Sequence, residues 1–217
     1  MPAGALKGTL SVAANSITNP TSATGSVAIV PGDLIYFVLG EQTSLTVTSV
    51  TDNLHTPTTY NATNSGTDAG AISGRAFWFV ATVSGTLTSI SATATASTDN
   101  VVAVAVVIAG PFLSSPLDAN PADITTDLTS PFTCPSSGTL AQAPEVVIAW
   151  GIEDGNTAWL ASSPNILGIQ TTSQAVLAVS IGYQTVNSTS AVAPAFTAGS
   201  NPTTCLLGVS TFKLAPV

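Results

Sequence analysis

The stretch Asn100 to Gly110, Asn-Val-Val-Ala-Val-Ala-Val-Val-Ile-Ala-Gly, constrains this chain more than any other part of it. With period two, Val102, Val104, Val106 and Ile108 fall on one face. Ala103, Ala105 and Ala109 fall on the other, with Val101 and Val107 adding bulk. Turn formers bound the run on both sides, Asp99-Asn100 before it and Gly110-Pro111 after it. Its β-branched content favours a strand over an equally apolar helix. A strand apolar on both faces belongs inside a sheet that is covered on both sides, so the rest of the chain must supply two covers.

Candidates for those covers recur along the sequence. Asp33 to Leu39 is a continuous apolar strand after the Pro31-Gly32 turn, and Ala76 to Val83 is an aromatic one. Leu87 to Ala96 alternates Ile90, Ala92, Ala94 and Ala96 with Ser91, Thr93 and Thr95, which predicts a half-buried strand. Glu145 to Ile152 and Ala175 to Tyr183 repeat the opening pattern, with large residues on one face and mainly Ala, Gly, Ser or Val on the other. Thr204 to Leu214 closes the series. Two polar stretches interrupt it. Thr51 to Ser73 reads as a displayed loop or a weakly marked hairpin, and Pro111 to Gly138 is rich in proline. A faint echo between Asp33 to Leu39 and Glu145 to Ile152 suggests two comparable halves.

The pattern predicts an all-β fold, a single antiparallel β-sandwich, jelly-roll-like, of roughly ten strands with two long loops. It spans residues 1–217 as one domain, with residues 1–25 left over as an N-terminal arm. The faces of small residues have two readings: thin cover by the chain's own loops, or flat packing against a second sheet or a neighbouring subunit. Composition bears on that choice. Only 6% of residues are charged, against roughly 25% in ordinary soluble domains. A surface so poor in charge suits packing against other protein, and predicts a homo-oligomer or a lattice-bound subunit.

The net charge of −8 comes from three cations, Lys7, Arg75 and Lys213, against eleven acids. That leaves no basic surface for nucleic acid or anionic lipid, so neither nucleic acid nor membrane is expected as a partner. No run reaches the roughly 18 apolar residues of a membrane span. The first eight residues lack a basic segment followed by an apolar one, so synthesis in a host cytoplasm without a signal peptide is expected. Cys134 and Cys205 define neither a disulfide framework nor a metal site, and two buried thiols are the expected outcome.

Chemistry is sparse. His55 is the single histidine, in Asp52-Asn53-Leu54-His55-Thr56-Pro57, and no nucleophile elbow accompanies it, so it reads as a solvated loop residue. A glycosidase pair could be drawn from Glu41, Glu145, Glu153 and Asp154 only by arbitrary choice, and Glu145 and Glu153-Asp154, which open and close a strand, read as its solvated ends. Asp118, Asn120 and Asp123 offer hard oxygen ligands but match no calcium-loop spacing. No catalytic residue, metal or cofactor is expected. Trp78 and Trp150 sit in strands dense in apolar residues and read as core. Trp159 follows a turn and is the tryptophan expected to meet solvent, where it would serve a glycan.

Several segments together resemble β-sandwich virion and structural proteins of tailed phages. They are Gly32-Asp33-Leu34-Ile35, Phe77-Trp78-Phe79, Val101 to Gly110, Pro116-Leu117-Asp118 and Glu145-Val146-Val147-Ile148. The likeness covers roughly residues 25 to 185 and its motifs are structural. It implies a non-enzymatic virion component, a capsid decoration, minor capsid or tail accessory protein, whose partners are other virion proteins or sister subunits. Phe112, Pro116 and Leu117 are the residues expected at such an interface. The alternatives are a carbohydrate-binding or adhesive module using Trp159, and a self-assembling extracellular fibre subunit.

Overall fold

The computed structural model describes residues 1–14, 20–42, 46–55, 60–68, 72–94, 100–121, 129–155, 159–162, 169–174, 177–198, 202 and 204–216, with backbone alone at 14, 64, 68, 159–162, 169–174 and 198. Among them the regular structure is entirely β. No helix is long and apolar enough to cross a membrane.

The first half of the chain makes one sheet. Its strands are β1 (Leu6–Ala14), β2 (Thr21–Ile29), β3 (Leu34–Glu41), β4 (Val47–Asp52), β5 (Asn61–Asp68), β6 (Ile72–Val80), β7 (Gly85–Ala94) and β8 (Val101–Ile108). They lie in the order β4-β7-β2-β1-β8-β3-β6-β5, antiparallel throughout. The second half makes two sheets from β9 (Phe112–Leu117), β10 (Phe132–Thr133), β11 (Glu145–Asp154), β12 (Trp159–Ser162), β13 (Ile169–Gln174), β14 (Leu177–Val186), β15 (Ala195–Ala198) and β16 (Cys205–Leu214). Five of these form the sheet β13-β14-β11-β16-β9, and three form β10-β15-β12. The hand-over between halves falls at Gly110, where the opening strand ends.

β8 has the double burial its sequence demands, with every residue of the strand buried. Val102, Val104, Val106 and Ile108 join Leu34, Tyr36 and Val38 of β3 in packing against Val146, Ile148, Trp150 and Ile152 of β11 and Val179 and Ile181 of β14. This is the layer between the two larger sheets. On the other face Val101, Ala103, Ala105 and Val107 meet Ile35 and Phe37 of β3, Leu10 of β1, Val27 and Ile29 of β2, and Leu87 and Ile90 of β7. Those strands all belong to the sheet that holds β8, so this sheet curls strongly and encloses a core of its own. A third core lies beyond β11, where Val147, Ala149, Leu207 and Val209 are covered by Phe132, Phe196, Leu140 and Val192.

The faces of small residues are therefore closed by the chain itself. Ala103 and Ala105 are fully buried inside the curl, and Ala149 is buried under the third sheet. Flat packing against a second sheet is one of the two outcomes the sequence allows, and here the covering strands belong to the same polypeptide. These faces are consequently not exposed at the surface. Residues 6–14 and 21–25, within the segment read as an arm, form central strands, with β1 hydrogen-bonded between β2 and β8.

Strands beyond the roughly ten expected come mainly from the polar stretches. Thr51 to Ser73 contains β5, which pairs with β6 and forms an edge of the curled sheet. Its sequence, Asn-Ala-Thr-Asn-Ser-Gly-Thr-Asp, has no apolar alternation to find. An edge strand held by backbone bonds needs little of it. Pro111 to Gly138 contains β9, the edge of the five-stranded sheet. Cys134 and Cys205 are both buried and form no disulfide.

Candidate functional site

The ionisable side chains are set at the corners of this framework. Asp52 ends β4 and turns the chain: its Oδ1 accepts from the backbone N–H of Leu54 at 2.7 Å and of His55 at 2.8 Å. Its Oδ2 accepts from His55 Nδ1 at 2.8 Å and from the Tyr60 hydroxyl at 2.9 Å. The remaining ring nitrogen, His55 Nε2, accepts from the backbone N–H of Thr82 at 3.2 Å. An acceptor at Nε2 requires the proton on Nδ1, facing Asp52. The imidazole packs edge-on against Phe79, 4.8 Å between ring centres. His55 is thus buried, not solvated. The correction has a local cause: an aspartate three residues upstream folds the loop back and carries the imidazole under the β6–β7 turn.

Glu145 and Glu153, expected at solvated strand ends, are likewise buried, whereas Asp154 is half-buried. Glu41, Glu145 and Glu153 are all inaccessible. Glu41 follows Phe37 and Leu39 onto the face inside the curl, whereas Glu153 follows Val147 and Ala149 onto the face toward the third sheet. They are not brought together. Glu145 meets a different acid, Asp118. Burial first, then the Asp118 carboxylate, pushes the Glu145 carboxyl above the usual range, against an opposing hydrogen bond from Thr211. Asp118 in turn accepts from Ala141 N–H at 2.7 Å and lies 3.6 Å from Lys213 Nζ. This cluster fastens the start of β11 to the ends of β9 and β16. Asn120 accepts from the Ser210 hydroxyl at 3.3 Å, and Asp123 lies outside the described residues. No group of three or more metal-ligating side chains occurs among the described residues.

The buried phenols give a pH test. Burial pushes Tyr36 up to about 12, with its hydrogen bonds to the Ser210 and Thr63 hydroxyls pulling the other way. Burial, and next the Asp52 charge, push Tyr60 up as well. Above the ordinary phenol value of 10.0 the unfolded chain has lost protons that the folded chain keeps, so stability falls as pH rises from there. For Tyr36 the fall continues to about 12. In a near-ultraviolet titration neither phenol should ionise at about pH 11 while circular dichroism still reports the fold. The chain has three tyrosines, Tyr183 being the third, so absorbance from more than one phenolate appearing well before any unfolding would contradict the burial of Tyr36 or Tyr60.

An accessible cleft combines a tryptophan with polar groups. It opens where edge strand β5, with β6 beside it, faces edge strand β9 across the sandwich. Two adjoining depressions of about 350 Å³ each share Asn61, Trp78 and Ser114; Ser115 and Leu117 close one, and Thr82 the other. Asn61 and Trp78 are direct cross-strand partners and so share a face. Trp78 is half-buried, and its inner side rests on Phe212, 5.7 Å between ring centres.

Of the residues expected at an interface, Leu117 is half-buried and lines this cleft, and the other two are buried. Phe112 and Pro116 are buried on a strand that closes a sheet edge, with exposed Ser114 between them, and nothing in the local sequence shows that the strand exists. Trp150 is core as expected. Trp159 opens β12, and its side chain lies outside the described residues. The tryptophan at the cleft described above is Trp78.

Fold and site together define an all-β, sandwich-like protein whose buried ionisable groups tie strands at their corners. Comparison with protein families, with curated proteins and with solved structures finds no match.

Proposed function

We propose that the chain is a non-enzymatic structural protein of a virion, a head-decoration or minor capsid component of a tailed phage that binds the shell or sister subunits. The observation that carries the structural part is the placement of the ionisable groups. Asp52, His55 and Asp118 spend their polar atoms on backbone N–H groups and on one another. The phage assignment rests on the sequence resemblance. The segments that carry the likeness are those that build β3, β6, β8, β9 and β11.

Attachment uses an end of the sandwich rather than a sheet face. Among the described residues the large apolar side chains with substantial exposure are Met1, Val30 at 49% and Val83 at 40%. The turns that carry Val30 and Val83 are joined by a hydrogen bond from Gly32 N–H to the Ala81 carbonyl, 2.8 Å. Pro31 and Pro111, both exposed, stand beside them. Burying such a spot on a shell contributes roughly 25 cal/mol per Å² of apolar area.

The test is sedimentation. A tagged copy made in cells that carry the gene is expected to band with released particles in a density gradient. The double variant Val30→Asp with Val83→Asp should leave the particle band while melting unchanged. A native chain that stays at the top of the gradient as a monomer would overturn the proposal.

A further inference from the structure

We infer that the cleft between β5–β6 and β9 is a binding site for a neutral saccharide, with Trp78 as its stacking platform. This goes beyond the virion reading and does not depend on it. Three features select the ligand class.

The first is the floor. Trp78 presents a half-buried indole to the cleft, fixed from behind by Phe212 and from the side by its place in β6. A rigid aromatic surface suits the axial C–H face of a pyranose ring, which is apolar although the ring's edge is ringed with hydroxyls. The indole N–H is buried and has no hydrogen-bond partner among the described residues, and a buried indole N–H ordinarily finds one. A donor of this tryptophan is thus left unmet by the described residues.

The second is the rim. The Asn61 amide and the hydroxyls of Thr82, Ser114 and Ser115 are all exposed around the indole. An amide both donates and accepts, and so does a hydroxyl, which matches the mixed character of sugar hydroxyls. A purely apolar ligand would leave these groups desolvated and unpaired.

The third is charge. No lining residue is ionisable. A nucleotide would also stack on an indole, but its phosphates call for cations, and the chain holds only three in all. A cavity of about 350 Å³ lies at the small end for ligand sites, which fits one sugar unit of a longer glycan running along the open edge.

The test uses cellohexaose, xylohexaose, mannohexaose and chitohexaose as probes, with hexagalacturonate as the charged control. Binding is read by tryptophan fluorescence and by saturation-transfer NMR. At least one neutral hexamer should bind saturably at millimolar concentration and the charged one should not. Asn61→Ala should weaken binding about tenfold, and Ser114→Trp, which fills the cleft, should abolish it. Both positions are exposed, so each variant should melt with the native chain. Trp78→Phe keeps a stacking face and should retain weakened binding. No saturable binding across the neutral panel, or binding that survives Ser114→Trp, would overturn the site.

Discussion

Replacing Asp33 by alanine is expected to destabilise this protein by about 3–5 kcal/mol, the range for breaking a buried ion pair from one side. The reason is the number of chain segments that converge on one carboxylate. Asp33 is only 2% exposed. Its Oδ1 accepts from Gly110 N–H at 3.0 Å, its Oδ2 from Val30 N–H at 2.9 Å, and Lys7 Nζ bonds the same Oδ2. Its backbone exchanges bonds with Ala81 and Val30. One residue thus holds β1, the β2–β3 turn, the end of β6 and the exit of β8. Alanine would leave two partly buried amides without their acceptor and the lysine without its counter-ion. Asp33→Asn keeps an acceptor and should cost less. Lys7→Met should cost least, because the carboxylate it leaves keeps both of its backbone N–H donors, Val30 and Gly110. In thermal melts the order should be Asp33→Ala lowest, then Asp33→Asn, then Lys7→Met, with the first about 10 °C below the native chain. An Asp33→Ala protein that melts with the native one would mean the carboxylate is incidental to the corner.

The same corner explains why Gly110 must lack a side chain. A Cβ there would sit 2.0 Å from the Gly32 carbonyl oxygen, a collision with backbone that no rotamer relieves. Gly32-Asp33 and the Gly110 that ends the opening strand are each visible in the sequence as punctuation. Their contact spans 77 residues, and no local pattern announces it.

What was legible followed from periodicity. The two apolar faces of Val101–Ile108 required cover on both sides, and the structure supplies it with β11 and β14 on one side and the curl on the other. What was not legible depended on non-local geometry. β5 and β9 are edge strands whose polar residues are indistinguishable from loop. His55 is buried because Asp52 bends its own loop, not because its neighbours alternate. Whether Ala103, Ala105 and Ala149 face a sister subunit or the same chain is a question of sheet curvature, which no residue pattern encodes. The cleft at Trp78 was hidden for the same reason. The aromatic strand predicts burial, and half of that burial is absent only because two sheet edges part beside it.

The second large effect belongs to Trp150, whose cavity left by alanine should cost about 3–5 kcal/mol. Trp150 is fully buried at the centre of the layer between the larger sheets. Its indole lies on Gly208 of β16, the residue paired with it across the strands. A Cβ at Gly208 would fall 2.5 Å from Trp150 Cε2 and 2.6 Å from both Cζ2 and Nε1. Gly208→Ala must therefore push the ring into Tyr36, Ile152 or the neighbouring strands, and overpacking of this kind costs about 1–3 kcal/mol. The two changes are coupled through a single space. A smaller ring in Trp150→Phe withdraws the atoms that the new methyl would strike, so the double variant should lose less than the sum of its parts. The expected shortfall is at least about 1 kcal/mol in a double-mutant cycle by urea denaturation, beyond what independent sites show. Strict additivity would mean that the indole does not rest on Gly208, and the packing between the sheets would then differ from the one described.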